Sequence, residues 1–204
     1  MAGTKRLGRD FFQPDSVELA PRLLNKLLVV ADGRAGRIIE VEAYRGEQDP
    51  ASHAYRGVTE RNRAMFGPPG HLYVYLSYGI HWCANVVCGP VGEARAVLLR
   101  ALAPVSGLEA MRSARWTGPG VRDDRDLCRG PGRLCQALGI DRSFDGADLV
   151  GREARLWVAD DGVEGPSPPV STPRVGISVG AELPWRFLVD GPGVTRPRSS
   201  TSRG

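Results

Sequence analysis

The sequence predicts an α+β fold: a single compact domain built on a mainly antiparallel sheet. Three observations point there. Runs of period-two alternation are separated by short turn signals, as in hairpins. Short helical patterns fall among them without the regular strand–helix–strand rhythm of a parallel sheet. No linker divides the chain, and 204 residues with 42% hydrophobic and 25% charged content are enough for one ordinary core.

Taken in order, residues 1–12 read as an irregular arm. In "SVELAPRLLNKLLVV", Ser16 is placed to N-cap a short helix that passes into a strand at 27–30. Asp32-Gly33 is a turn signal and "RIIEVEAY" follows it, so 27–44 reads as a hairpin. "TERNRAMF" opens a short helix at Thr59, and "GPPG" at 67–70 stops it. In "HLYVYLSYGIHWCANVV", Leu72, Val74 and Leu76 alternate with Tyr73, Tyr75 and Ser77, and Tyr78-Gly79 interrupts the pattern as a hairpin tip or a bulge. "ARAVLLRALAP" is a further strand, "SGLEAMRSAR" and "GPGRLCQALG" are helical, and "ARLWVAD" and "RVGISV" are late strands. "GVEGPSPPVSTP" is a loop, and "GPGVTRPRSSTSRG" makes 192–204 a flexible tail beyond a domain spanning 1–191.

Net charge is +4, a basic excess compatible with a polyanionic partner without demanding one. Of the 27 Lys and Arg residues, all but Lys5 and Lys26 are arginine. Arginine suits phosphate contact by its planar fork, although GC-rich coding explains the bias equally well. No stretch is long and apolar enough to span a membrane, and "MAGTKRLGRD" lacks the apolar core of a secretory signal. Cys83, Cys88, Cys128 and Cys135 match neither paired CxxC nor a zinc spacing, so they read as reduced, mostly buried thiols of a cytoplasmic protein.

Candidate chemistry concentrates in "VEAYRGEQDPASH". Along 37–44, alternation places Ile38, Glu40, Glu42 and Tyr44 on one face and Ile39, Val41 and Ala43 on the other. The second face is core. The first begins apolar and ends polar, as a strand entering a cleft does, although a solvated face with two glutamates is the blander alternative. Arg100 weakens that alternative. It shares a face with Ala96 and Leu98 inside an apolar run, where a guanidinium needs an anion, and Glu42 is a candidate partner. A purely structural ion pair would satisfy the same pattern. Tyr44 and Tyr75 lie on polar-leaning faces and together can form a slot for a flat, electron-poor ring, with Asn85 supplying an amide nearby.

Several blocks together closely resemble the alkyladenine (3-methyladenine) DNA glycosylase family: "EVEAYRGEQDPASHAYRG", "TERNRAMFGPPGHLYVYLSYGIHWCANVV", "AVLLRALAP", "DLCRGPGRLCQALGIDRSFDGADL" and "TPRVGIS…PWRF". They cover about residues 10–190 in the family's order. The resemblance implies a curved sheet surrounded by helices, with a protruding β-hairpin. It implies a monofunctional DNA glycosylase of base excision repair that flips alkylated purines out of duplex DNA and excises them hydrolytically. The substrates it suggests are 3-methyladenine and 7-methylguanine, with hypoxanthine and ethenoadenine as further candidates. Glu42 matches the catalytic carboxylate that activates water, Arg100 the arginine that helps hold the water, and the Ile177 carbonyl a third water contact. Tyr44, His53 and Tyr75 match the residues that sandwich the flipped base. Asn85 matches the side chain that crowds the amino group of normal guanine, and Tyr78 the wedge that fills the vacated stack. No metal or organic cofactor is implied. The expected partner is damaged double-stranded DNA, with no membrane and a monomeric state.

The scarcity of lysine favours a water-using enzyme over one that forms a Schiff base and cuts the strand. Two rivals remain: a non-catalytic nucleic-acid-binding module using the same aromatic and arginine surface, and a metal-dependent hydrolase built from Glu42 and His53, His71 and His81.

Overall fold

In the computed structural model the described residues are 3–115 and 123–190; the tail proposed at 192–204 lies outside them. The strands are β1 (Lys5–Arg6), β2 (Leu27–Val30), β3 (Ala35–Arg45), β4 (Leu72–Ser77), β5 (His81–Cys88), β6 (Arg95–Ser106), β7 (Leu156–Asp160), β8 (Val170–Thr172) and β9 (Arg186–Leu188). They form one curled sheet in the order β1-β7-β2-β3-β6-β5-β4, and β9 pairs with both β3 and β8. Every pairing is antiparallel, as the alternation predicted. The helices are α1 (Ser16–Leu23), α2 (Leu108–Arg115) and α3 (Pro131–Leu138).

One face of the sheet is dry. Val41 and Ala43 of β3, Val74 of β4, Ala84 and Val86 of β5, and Val97 and Leu99 of β6 pack there with Leu19 and Leu23 of α1 and Leu134 and Leu138 of α3. Burying a side chain of this size contributes about 1.5–3 kcal/mol each. α3 ends where Gly139 takes a left-handed conformation (φ 68°) and its N–H bonds back to the last turn. All four cysteines are buried free thiols, as expected.

The structure differs from the sequence reading at several points. Asp15, not Ser16, caps α1, its carboxylate accepting from the Val17 N–H at 2.9 Å. Residues 3–12 are not an irregular arm: β1 pairs with β7, and Phe12 is fully buried. "TERNRAMF" gives only a 3-10 turn at Arg63–Phe66, because Thr59 and Asn62 hydrogen-bond each other's backbone N–H and close a tight turn instead. "RVGISV" is not a strand, whereas Val170–Thr172 in the expected loop is one. Tyr78-Gly79 is the tip of the β4–β5 hairpin. Ile80 N–H closes a turn onto the Ser77 carbonyl at 3.0 Å, and both central residues have positive φ (50° and 68°).

The most consequential difference lies in β3. Its register against β6 slips on either side of Glu40, skipping Ile39 on β3 and Arg100 on β6. The slip changes the phase of the alternation. Ile38 therefore joins Val41 and Ala43 in the core and does not share the face of Glu40, Glu42 and Tyr44.

Candidate active site

Directly paired residues on adjacent antiparallel strands point to the same face. Tyr73 faces Asn85, Asn85 faces Leu98, Leu98 faces Glu42, and Glu42 faces Arg186. This row crosses β4, β5, β6, β3 and β9 on the side away from the helix-covered core. Two residues along come Tyr75 and its partner Cys83; in the other direction comes Tyr44 opposite Ala96. In a flat sheet β3 and β4 would stand about 14 Å apart, three strand spacings. Curling brings Tyr44 and Tyr75 to one cavity of about 480 Å³, within the range of roughly 300–1,000 Å³ usual for small-molecule sites.

Tyr44, His53, Tyr75, Tyr78, Asn85, Arg100 and Ile177 all line this cavity. Glu42 lies immediately behind the lining and is 0% exposed. Its Oε2 accepts from the Tyr44 hydroxyl at 3.0 Å and from Arg100 Nη1 at 3.1 Å. Its Oε1 accepts from the Val175 N–H at 2.7 Å. All three donors belong to residues that line the cavity, so the carboxylate is fixed at its wall. Such contacts hold a carboxylate in one orientation before any ligand arrives. Arg100 is held on its other side by Glu40, at 2.9 Å from Nε. Burial pushes the Arg100 guanidinium down, but Glu42 and Glu40 more than offset this and raise it above its ordinary value.

The aromatic wall has a defined order. Tyr73 and Tyr75 stack with centroids 5.4 Å apart, and His53 meets Tyr75 edge-on at 4.4 Å. His53 Nδ1 lies 3.0 Å from the Tyr73 hydroxyl. Burial, then the Arg61 guanidinium, lowers the imidazole pKa below its usual value, which favours a neutral ring. Burial also raises the Tyr44, Tyr73 and Tyr75 hydroxyls, Tyr73 to about 12. Asn85 Nδ2 donates to the Tyr73 carbonyl at 3.1 Å, which fixes the amide where it meets the cavity.

Sequence reasoning missed three contributors. Tyr73 was visible on the face of Tyr75, but its bond to His53 was not. Val175 makes the backbone contact to Glu42, two residues before Ile177. Arg174 and Asp49 form a fully buried pair with a 2.9 Å Nη2–Oδ1 contact, and Arg174 also donates to the Ala43 carbonyl at 3.0 Å. This pair ties the loop carrying Val175 and Ile177 to the loop carrying His53. The Arg174 guanidinium also lies over the Tyr44 ring, 4.7 Å from its centroid. Breaking such a buried pair costs about 3–5 kcal/mol. Among the described residues, no three His, Cys, Asp or Glu side chains converge to hold a metal. His71 lies beside Arg9 at 3.1 Å, away from His53.

What this describes is a single α+β domain with an aromatic cavity walled by a buried carboxylate and its arginine. The methylpurine-DNA glycosylase family model matches residues 10–192, and the chain belongs to that family, a group of DNA glycosylases acting in repair of alkylation damage. A Burkholderia lata protein named "Putative 3-methyladenine DNA glycosylase" is 57% identical over 185 residues, covering 91% of this chain and 88% of its own. One of the same name from Chlorobaculum parvum is 47% identical over 204 residues, covering 98% and 92%. A third, from Nitrosospira multiformis, is 46% identical over 187 residues, covering 91% and 92%.

Proposed function

We propose that the chain is a monofunctional DNA glycosylase that flips an alkylated purine out of duplex DNA and hydrolyses its N-glycosidic bond, with 3-methyladenine and 7-methylguanine as the leading substrates. The observation that carries this reading is the contact set of Glu42: a buried carboxylate held by Tyr44, Arg100 and Val175 at the wall of an aromatic cavity. A non-catalytic binding module has no use for a carboxylate fixed against a site for a nucleobase on an anionic chain.

In this mechanism the flipped purine enters among Tyr44, His53 and Tyr75, whose faces and edges suit a flat, electron-poor ring. Unpairing costs a few kcal/mol, least for a damaged base. Tyr78, exposed at the hairpin tip, fills the vacated stack and offsets part of that cost. Glu42 takes a proton from water as the water attacks the sugar carbon, and its charge stabilises the oxocarbenium character of the transition state. Arg100 positions the water and orients Glu42, and the Ile177 carbonyl is a further water contact. A 3- or 7-alkylated purine carries positive charge and leaves without protonation. Neither Lys5 nor Lys26 lines the cavity, and Lys26 is engaged by Asp160 at 2.8 Å, which supports water over an amine as the nucleophile.

The test is a duplex carrying one defined lesion. Alkali-dependent strand breaks that persist in excess EDTA are expected. Breaks without alkali would indicate lyase chemistry, loss of activity with EDTA would indicate a metal hydrolase, and tight binding with no breaks would leave only the binding module.

A further inference from the structure

A second carboxylate stands behind the site. Glu40 is 0% exposed and lies two residues before Glu42 on the same face of β3. Its Oε1 accepts from Arg100 Nε at 2.9 Å and from Arg186 Nε at 2.7 Å. Arg100 reaches on from Nη1 to Glu42 Oε2. Arg186, Glu40, Arg100 and Glu42 therefore form a buried relay of alternating sign. Arg186 alone would satisfy Glu40 as an ion pair; instead the same oxygen also holds the arginine that holds Glu42. Arg100 falls in the register between Leu99, opposite Val41, and Ala101, opposite Glu40, and from there one guanidinium reaches both carboxylates.

We propose that Glu40 is a positioning residue that acts through Arg100 to orient the Glu42 carboxylate and keep it basic enough to take a proton from water. The proposal rests on the hydrolytic reading above. An arginine paired with Glu42 alone would bind it tightly and weaken it as a base. Sharing that arginine with Glu40 loosens the hold while keeping its direction. The other groups facing Glu42 are Tyr44 on its own strand, Arg186 opposite it on β9, the Val175 N–H and Arg174 of the 173–177 loop, and Tyr75 of β4. Of these groups, Arg186 also donates to Glu40.

The signs of the test follow from charge. Glu40→Gln removes a negative neighbour and leaves Arg100 to Glu42, so the ionised form of Glu42 is favoured. The acid limb of the single-turnover rate should then move about one unit to lower pH, and the plateau rate should fall about tenfold as the base weakens. Arg186→Gln should move the limb the other way, because Glu40 then draws more fully on Arg100. Binding of damaged duplex, read by fluorescence anisotropy, should stay within twofold for both. In an Arg100→Gln background, Glu40→Gln should have less than half its effect on the logarithm of the rate.

Unmoved limbs, limbs moving in one common direction, or fully additive losses with Arg100→Gln would overturn the assignment. Circular dichroism identifies a variant that has lost its fold, and the remaining variant's limb direction then decides alone. A wild-type chain inactive on every lesion duplex would sink the glycosylase reading itself; an active wild type with unshifted variants would sink only the role of Glu40.

Discussion

The two faces of β3 do opposite things with the same backbone. Val41 and Ala43 are sealed in an apolar core under α1 and α3, whereas Glu42 and Tyr44, equally part of the strand, face a cavity and form hydrogen bonds. Both faces are buried, but for different reasons. The core face contributes stability by removing apolar area from water. The cavity face holds charges whose desolvation is tolerated only because each has partners. Stability and chemistry should therefore separate cleanly when one face is altered and the other left intact.

The largest effect should come from Glu42→Gln. The amide keeps the shape but cannot take a proton, so base release should fall by about 10²–10⁴-fold, the usual weight of a general base, while the protein still binds damaged duplex. Retained turnover in the alkali strand-break assay would remove Glu42 from the base role. The complementary change on the other face is Leu19→Ala in α1. It should lower unfolding free energy by about 2–5 kcal/mol in a urea titration, with the single-turnover rate of the folded enzyme nearly unchanged. A rate loss matching that of Glu42→Gln would mean that the two faces are not independent.

That division was half legible in the sequence. Alternation in "LYVYLS" and in "RIIEVEAY" separated core from cavity residues, and the motif blocks named Tyr44, His53, Tyr75, Asn85 and Arg100, which line one cavity, and Glu42, which is buried behind its wall. The phase around Ile38 was misread because a bulge is decided by the pairing strand, not by local residues. "RVGISV" looked like a strand from its β-branched residues, yet the Val175 N–H bonds to a carboxylate and Arg174 is buried against Asp49 far away in sequence. Periodicity carries no trace of such long-range polar contacts. The same blindness hid the partners of Glu40, whose burial becomes intelligible only when Arg100 and Arg186 are seen to meet on it.

A smaller effect is expected at the hairpin tip, where Tyr78 is 90% exposed and contributes little to either face. Its φ of 50° is tolerated more easily by glycine than by any side chain. Tyr78→Gly should therefore leave thermal stability unchanged or slightly raised, while weakening binding of a lesion duplex by about tenfold, the scale of one lost stacking contact. On a weakly paired lesion the bond-breaking step should slow less than binding weakens. Equal losses in both would contradict a wedge.

Asn85 gives the smallest and most selective change, and it tests whether the cavity face excludes as well as binds. Its Nδ2 is committed to the Tyr73 carbonyl, so the amide cannot swing away from a purine that crowds it. A rigid obstacle of this kind discriminates by steric and polar mismatch, not by affinity for the correct base. Asn85→Ala removes the obstacle but also frees the Tyr73 carbonyl, which should cost about 1 kcal/mol of stability in the urea titration. Release of unmodified guanine from duplex should rise several-fold, while the rate on an alkylated adenine, which lacks the guanine amino group, should change by less than about twofold, well below the tenfold that 1.4 kcal/mol would bring. Asn85→Ser separates the two contributions: the shorter hydroxyl cannot fill the volume of the amide, so selectivity should relax as in the alanine variant. If both variants kept the wild-type preference against guanine, the exclusion would reside elsewhere in the cavity, and Asn85 would serve only to pin β4 to β5.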